Sequence, residues 1–142
     1  MIVYRMHRSG FDALDSTGSF LGDGRWHTAG TRAIYTAEHV SLAALETLIH
    51  ASGGLISERQ LTEILIPDEL AIETAEWREI SESQRFGDMW AKSARTAVLR
   101  VPSIAVNKLE WNYIINPLHV AFGRIKKGQI RAFVFDERFF VK

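Results

Sequence analysis

The residues best suited to chemistry lie in one stretch, Gly24 to Ser52, which reads GRWHTAGTRAIYTAEHVSLAALETLIHAS. Glu46 stands there with apolar residues on both sides, and a carboxylate in such a setting is costly unless something pairs with it. Two readings are open for it. It is either a solvated acid on the polar stripe of a helix, paired with His50 four residues on, or a carboxylate lining a cleft, where it can hold a sugar hydroxyl or stabilise a cation. No HExxH pattern or further close ligand turns Glu46 and His50 into a metal site. Arg25 follows a glycine-rich segment and precedes Trp26. A guanidinium stacked on tryptophan with its head in water is the ordinary outcome. The alternative is an anion site, because the guanidinium fork matches phosphate geometry and glycines let backbone N–H groups approach. Arg5 is a second candidate if its strand borders the same cleft.

Other residues say less in isolation. Tyr35 reads as a core aromatic at a strand end, Ser103 as a turn residue after Pro102 with no GxSxG elbow, and Asn116 as part of the strand end Asn116-Pro117-Leu118-His119. No P-loop or GxGxxG pattern is present, so a phosphate is not held in Rossmann fashion. The basic run Arg124, Lys126, Lys127 and Arg131 lacks interleaved aromatics and reads as a solvated hairpin.

The elements that must position these groups follow from periodicity. Ile2 to Met6 is expected as an opening strand with Ile2, Tyr4 and Met6 on one face. Arg8 to Gly24 is a long glycine-containing loop, of the length that is usually functional or mobile. A short strand covers Ala33 to Thr36, and Thr36 is the expected cap of a helix from His39 to about Ser52, with Glu38 in its first turn. That helix is apolar on so much of its circumference that packing on more than one side is expected, and Gly53-Gly54 stops it. Leu61 to Ile66 and Ala71 to Thr74 are strands around Pro67-Asp68. Gln84 to Ala94 is a second helix, against which Gly87 argues. Thr96 to Val101 and Asn112 to Asn116 are strands ended by prolines. Gly123 to Lys126 and Gln129 to Asp136 suggest a hairpin around Lys127-Gly128. One α+β domain spanning residues 1–142 is the reading.

Composition narrows the classes. The chain has 142 residues, 46% hydrophobic and 24% charged, which is ordinary globular usage with enough apolar content for a core. Lys+Arg and Asp+Glu are both 17, so no bulk attraction to nucleic acid or anionic membrane is expected. The absence of cysteine excludes disulfide scaffolds, thiolate metal sites and thiol nucleophiles. The N-terminus resembles neither a signal peptide nor a membrane span, and a cytoplasmic address is expected from that absence.

Taken together and in order, Tyr4-Arg5, Gly24-Arg25-Trp26, Gly30, Tyr35, Glu46, Pro102-Ser103, Asn116-Pro117-Leu118-His119 and Phe133-Val-Phe135-Asp136-Glu-Arg138 resemble the RES domain family, named for an arginine, a glutamate and a serine. The likeness covers almost the whole chain and departs at His27-Thr28, where an asparagine and a proline are usual. It implies a fold similar to ADP-ribosyltransferase toxins, with small sheets around an NAD-binding cleft. It also implies a toxin of a bacterial type II toxin–antitoxin pair that cleaves the nicotinamide–ribose bond of NAD by hydrolysis or phosphorolysis. The alternatives are transfer of ADP-ribose to a specific protein, or a non-catalytic module that binds NAD or a partner. By the same resemblance Glu46, Arg25 and Ser103 are the catalytic set, and Arg5, Arg25, Tyr35 and Asn116 bind NAD, which is a substrate; no prosthetic group or metal is implied. The implied partner is an Xre-like helix-turn-helix antitoxin that blocks the cleft and makes most of the DNA contact. Oligomeric state stays open.

Overall fold

The computed structural model describes residues 1–51 and 54–140. In chain order the elements are β1 (Ile2–Arg8), α1 (Thr17–Leu21), β2 (Ile34–Ala37), α2 (Val40–His50), β3 (Arg59–Leu65), β4 (Ile72–Thr74), α3 (Ile80–Ser93), β5 (Val98–Pro102), β6 (Trp111–Ile115) and β7 (Lys126–Phe133). The strands form one sheet in the order β4-β5-β6-β2-β1-β3-β7, antiparallel except for the β4–β5 pair. This is the expected α+β fold, but one continuous sheet takes the place of the expected small sheets, because β1 and β2 join its two halves. Four residue pairs join β2 to β6 and seven join β1 to β3, but only Tyr4 and Ala37 join β1 to β2. Continuing that register would set Arg5 opposite Thr36 and Met6 opposite Tyr35. Instead the two strands part there, and the sheet opens.

Apolar side chains cover the halves differently. Val3, Ile34, Ile64, Val98 and Ile115 share one cluster with Ala13 and Ile125 from the long connections. On the other face, Leu99, Val101 and Ile114 pack with Trp26 and with Trp90 of α3. A third cluster seats Leu42 and Ala43 of α2 against Ala37 and Leu61, across the seam.

Several expectations are corrected. The loop expected over Arg8 to Gly24 contains the short helix α1. His39, not Thr36, precedes α2 as its cap residue. Thr36 lies inside β2, where its hydroxyl donates to the Tyr113 carbonyl at 2.7 Å, and the Glu38 carboxylate accepts the Trp111 N–H across the sheet. Helix α2 packs on the sheet and on Ala105 and Val106, yet less deeply than its apolar breadth suggests: Leu42 and Ala43 are buried, whereas Ile49 is 57% exposed. The expected end of this helix at Ser52 and its Gly53 stop lie outside the described residues. The hairpin around Lys127-Gly128 is absent, because β7 runs through it as an edge strand. Thr62 faces Ile130 and Ile64 faces Lys127, so Glu63 opposes two residues, and the glycine belongs to a bulge. A Cβ at Gly128 would stand 3.0 Å from the Glu63 carboxylate, which accepts the Gln129 N–H.

Gly87, the residue that argued against α3, explains how close that helix comes. A Cβ there would lie 1.6 Å from the Trp26 carbonyl oxygen, so only glycine lets α3 rest on the Trp26 backbone. Gly87→Ala gains about 1 kcal/mol of helix propensity, but the clash is with backbone and requires the helix to move. A net loss of about 2 kcal/mol is expected. Thermal unfolding should then show a Tm lower by roughly 4–8 °C, and an unchanged or higher Tm would overturn this account.

Candidate active site

Where β1 and β2 part, a cavity of about 970 Å³ opens. Arg5, Met6 and His7 line it from β1, Tyr35, Thr36 and Ala37 from β2, and Ala43, Glu46 and Thr47 from α2. The segment Gly22 to His27 closes one end, and Arg8, His50 and Arg59 stand among the lining residues from the ends of β1, α2 and β3. Arg5, Arg25, Tyr35 and Glu46 therefore share one cleft. Ser103 and Asn116 are not among its lining residues.

Glu46 is half-buried on α2, and its Oε1 accepts the Ser103 hydroxyl at 2.9 Å. No bond to His50 forms, so the reading as a solvated Glu–His pair is set aside. Ser103 follows the last residue of β5 and is 1% exposed. Its own N–H and C=O are bonded to the Glu110 carbonyl and the Lys108 N–H, which leaves its side chain a fixed donor behind the carboxylate. Ser103 thus holds the Glu46 carboxylate from behind and does not itself line the cleft.

Arg5 turns its Nη1 to the carbonyls of Ala13 and Asp15, at 2.6 and 3.0 Å. Burial lowers its pKa, an effect opposed by the nearby charges of Asp15 and Asp12. Arg25 is exposed, and the aromatic beneath its guanidinium is Trp77, 5.6 Å away, rather than its neighbour Trp26. Trp26 is instead an anchor, 3% exposed and edge-on to Phe86. Asn116 is a structural residue. Its amide donates to the Ala91 carbonyl of α3 and its Oδ1 accepts the Leu118 N–H, so both halves of its side chain are used away from the cleft.

Two residues that sequence reasoning did not select hold the rest in place. His27 is 3% exposed, with Nε2 facing the carbonyls of Ser19 and Gly22 at 3.0 and 2.8 Å. That nitrogen therefore carries the proton. In the neutral ring Nδ1 accepts the Tyr35 hydroxyl at 2.7 Å, while the phenol oxygen accepts the Trp26 N–H. Burial pushes the Tyr35 phenol upward, so it stays a donor. Gly24 is packed under this pair: a Cβ there would fall 2.5 Å from His27 Cε1 and 2.8 Å from the Tyr35 oxygen. Asp88 of α3 accepts the Thr28 N–H and the hydroxyls of Thr28 and Thr31, pinning the following turn. The only sequence signal for His27 and Thr28 was that they depart from the family pattern; the burial of His27 and the bonds from exposed Thr28 to Asp88 are tertiary.

His27→Ala would empty this pocket and leave the buried Tyr35 hydroxyl without its acceptor. A loss of about 2–4 kcal/mol is expected from the cavity and the broken hydrogen bond, readable by urea unfolding. His27→Asn, which keeps an acceptor, should lose less. Equal stability of His27→Ala and the parent would remove His27 from this role.

Comparison with known proteins agrees with the geometry. The chain is 38% identical over 141 residues to a protein of Sphingobium sp. (strain YBL2) named Prs ADP-ribosylating toxin, covering 89% of this chain and 86% of that one. It is 38% identical over 130 residues to Toxin Res of Photorhabdus laumondii, covering 83% of each. The fold matches a chain in the crystal structure of the M. tuberculosis MbcT–MbcA toxin–antitoxin complex with a TM-score of 0.78 at 17% identity, over 93% of this chain and 83% of that one. The family model for the RES domain matches residues 2–136, and the chain belongs to the RES domain family.

Proposed function

We propose that this chain is the toxin of a bacterial type II toxin–antitoxin pair and that it cleaves the nicotinamide–ribose bond of NAD. The observation that carries this reading is the Glu46 carboxylate, held on one oxygen by buried Ser103 and facing a cleft that arginines line on several sides. The cavity is near the upper end of the roughly 300–1,000 Å³ usual for ligand sites. Arg5, Arg8, Arg25 and Arg59 outnumber its carboxylates, Asp23 and Glu46, in a protein with no net charge. Such a lining suits an anionic substrate.

The chemistry follows from these groups. As the C1′–N bond breaks, its electron pair leaves with nicotinamide, which becomes neutral, and positive charge builds on the ribose. Glu46 stabilises that charge and grips the ribose hydroxyls, as the carboxylates of glycosidases do. Arg25 and Arg5 hold the diphosphate by charge-assisted hydrogen bonds, and the Tyr35 ring flanks nicotinamide. Ser103 keeps Glu46 aimed. The acceptor is water, phosphate or a protein side chain. The name of the Sphingobium relative favours a protein acceptor as the second reading.

An NAD-consuming protein needs restraint, and the structural neighbour was crystallised as a toxin–antitoxin complex. The partner here is an Xre-like antitoxin that covers the cleft and supplies most of the DNA contact. Free nicotinamide, followed after NAD is added to antitoxin-free protein, tests the reading. Glu46→Gln should lower the rate at least about 100-fold. Ser103→Ala should lower it about tenfold, the roughly 1.4 kcal/mol of one positioning bond. No nicotinamide release under hydrolytic, phosphorolytic or transfer conditions would overturn the activity, and an unaffected Glu46→Gln would overturn the role of the carboxylate. Labelled ADP-ribose on a protein band would select the transferase reading.

A further inference from the structure

We propose that Arg8 and Arg59 form a second anion subsite of the cleft, built for a phosphate group other than the diphosphate assigned to Arg25 and Arg5; only that assignment rests on the NAD reading. The two arginines are direct cross-strand partners at the ends of β1 and β3. Such partners stand about 4.5–5.5 Å apart at Cα, and like charges set opposite one another are destabilising. Among the described residues no carboxylate forms an ion pair with either of them, although Arg95, Arg124 and Arg138 each have one. Nη1 of Arg59 donates to the carbonyl and hydroxyl of Ser57, which steadies its head without neutralising it.

Both arginines line the main cleft and also a smaller hollow of about 670 Å³ beside it, so they form the ridge between the two. Glu58 lines the hollow but pairs with neither. Two facing cations without a protein counter-charge match a dianion better than a single carboxylate, and guanidinium forks match phosphate oxygens. Phe11 and Leu55, 58% and 84% exposed, line the same hollow and offer an apolar flank should the phosphate be carried on a nucleoside. The shared chemistry is thus a phosphate dianion, free or borne by a nucleotide.

Calorimetric titration of the full chain with inorganic phosphate and, separately, with adenosine 2′,5′-bisphosphate tests this at constant ionic strength, alongside Arg8→Gln and Arg59→Gln. Saturable binding of either probe to the parent is expected, weakened about tenfold or more in each variant. Binding of inorganic phosphate identifies a free-phosphate site, and binding of the bisphosphate alone identifies a nucleotide-borne one. Thermal unfolding adds a readout that separates a ligand site from a structural pair: Arg8→Gln should leave Tm unchanged or raise it, because it relieves repulsion. No binding of either probe, or equal binding by parent and variants, would overturn the subsite. Arginine-dependent binding in a protein that releases no nicotinamide would leave the subsite standing and remove the NAD reading.

Discussion

At Tyr4 and Ala37 the two halves of the sheet meet through one pair of residues, and the cleft exists because the pairing stops there. Strands normally lie about 4.8 Å apart, which leaves no room for a ligand between them. Parting them exposes backbone polar groups that must find water or a ligand. The separation is held from outside. β1 is paired along its whole length with β3, and β2 along its whole length with β6, so neither strand is free to move across and close the gap. Helix α2 then crosses the seam, with Leu42 and Ala43 in the cluster that contains Ala37 and Leu61. That crossing brings Glu46 to the opening.

Two supports flank the gap, and they differ in physical kind. On the α2 side a single hydrogen bond from a buried hydroxyl aims one carboxylate. On the opposite side a packed unit of Trp26, His27, Tyr35 and Gly24 is locked against α3 by the close approach at Gly87 and by the three bonds to Asp88. Every polar group named in that unit has a partner, and buried networks rigidify only when they are fully satisfied. No buried side-chain nitrogen or oxygen lacks a hydrogen bond among the described residues. The arginine beside Trp26 therefore projects from a rigid base, although its own head is exposed.

Much of this was legible in the sequence wherever local pattern decides. β1, β2, α2 and the strands before each proline follow from periodicity, and the residues that share the cleft follow from the order of motifs along the chain. What failed was what a distant neighbour decides. Gly128 looks like a turn, yet a bulge opposite Glu63 needs the same freedom from a Cβ. Gly87 looks like a weak helix position because its reason, the Trp26 backbone, lies about sixty residues earlier. Thr36 has a cap's chemistry but is claimed by β2, and Asn116 has a ligand's chemistry but is consumed by Ala91 and Leu118. The breadth of the apolar stripe on α2 suggested deep burial; Ile49 is left to line the cleft instead.

Charge distribution carries the last step. A neutral protein can still present a cationic cleft if its acids are engaged elsewhere. Several are: Asp12 is bonded to Lys127, and Asp15 accepts the hydroxyl and N–H of Thr17. Both carboxyls are held below their usual range, first by those hydrogen bonds. Asp23 accepts the Ala29 N–H and Asp88 pins the turn beyond it. Of the two carboxylates that line the cleft, Asp23 is tied to the Ala29 N–H, and Glu46 takes an uncharged hydroxyl donor that does not offset its charge. A carboxylate paired to arginine would have that charge offset and its geometry dictated by the fork. In the NAD cleavage proposed above, a serine hydroxyl on this carboxylate would leave its negative charge available for the cation that forms, while the arginines would hold the anionic remainder of the same molecule.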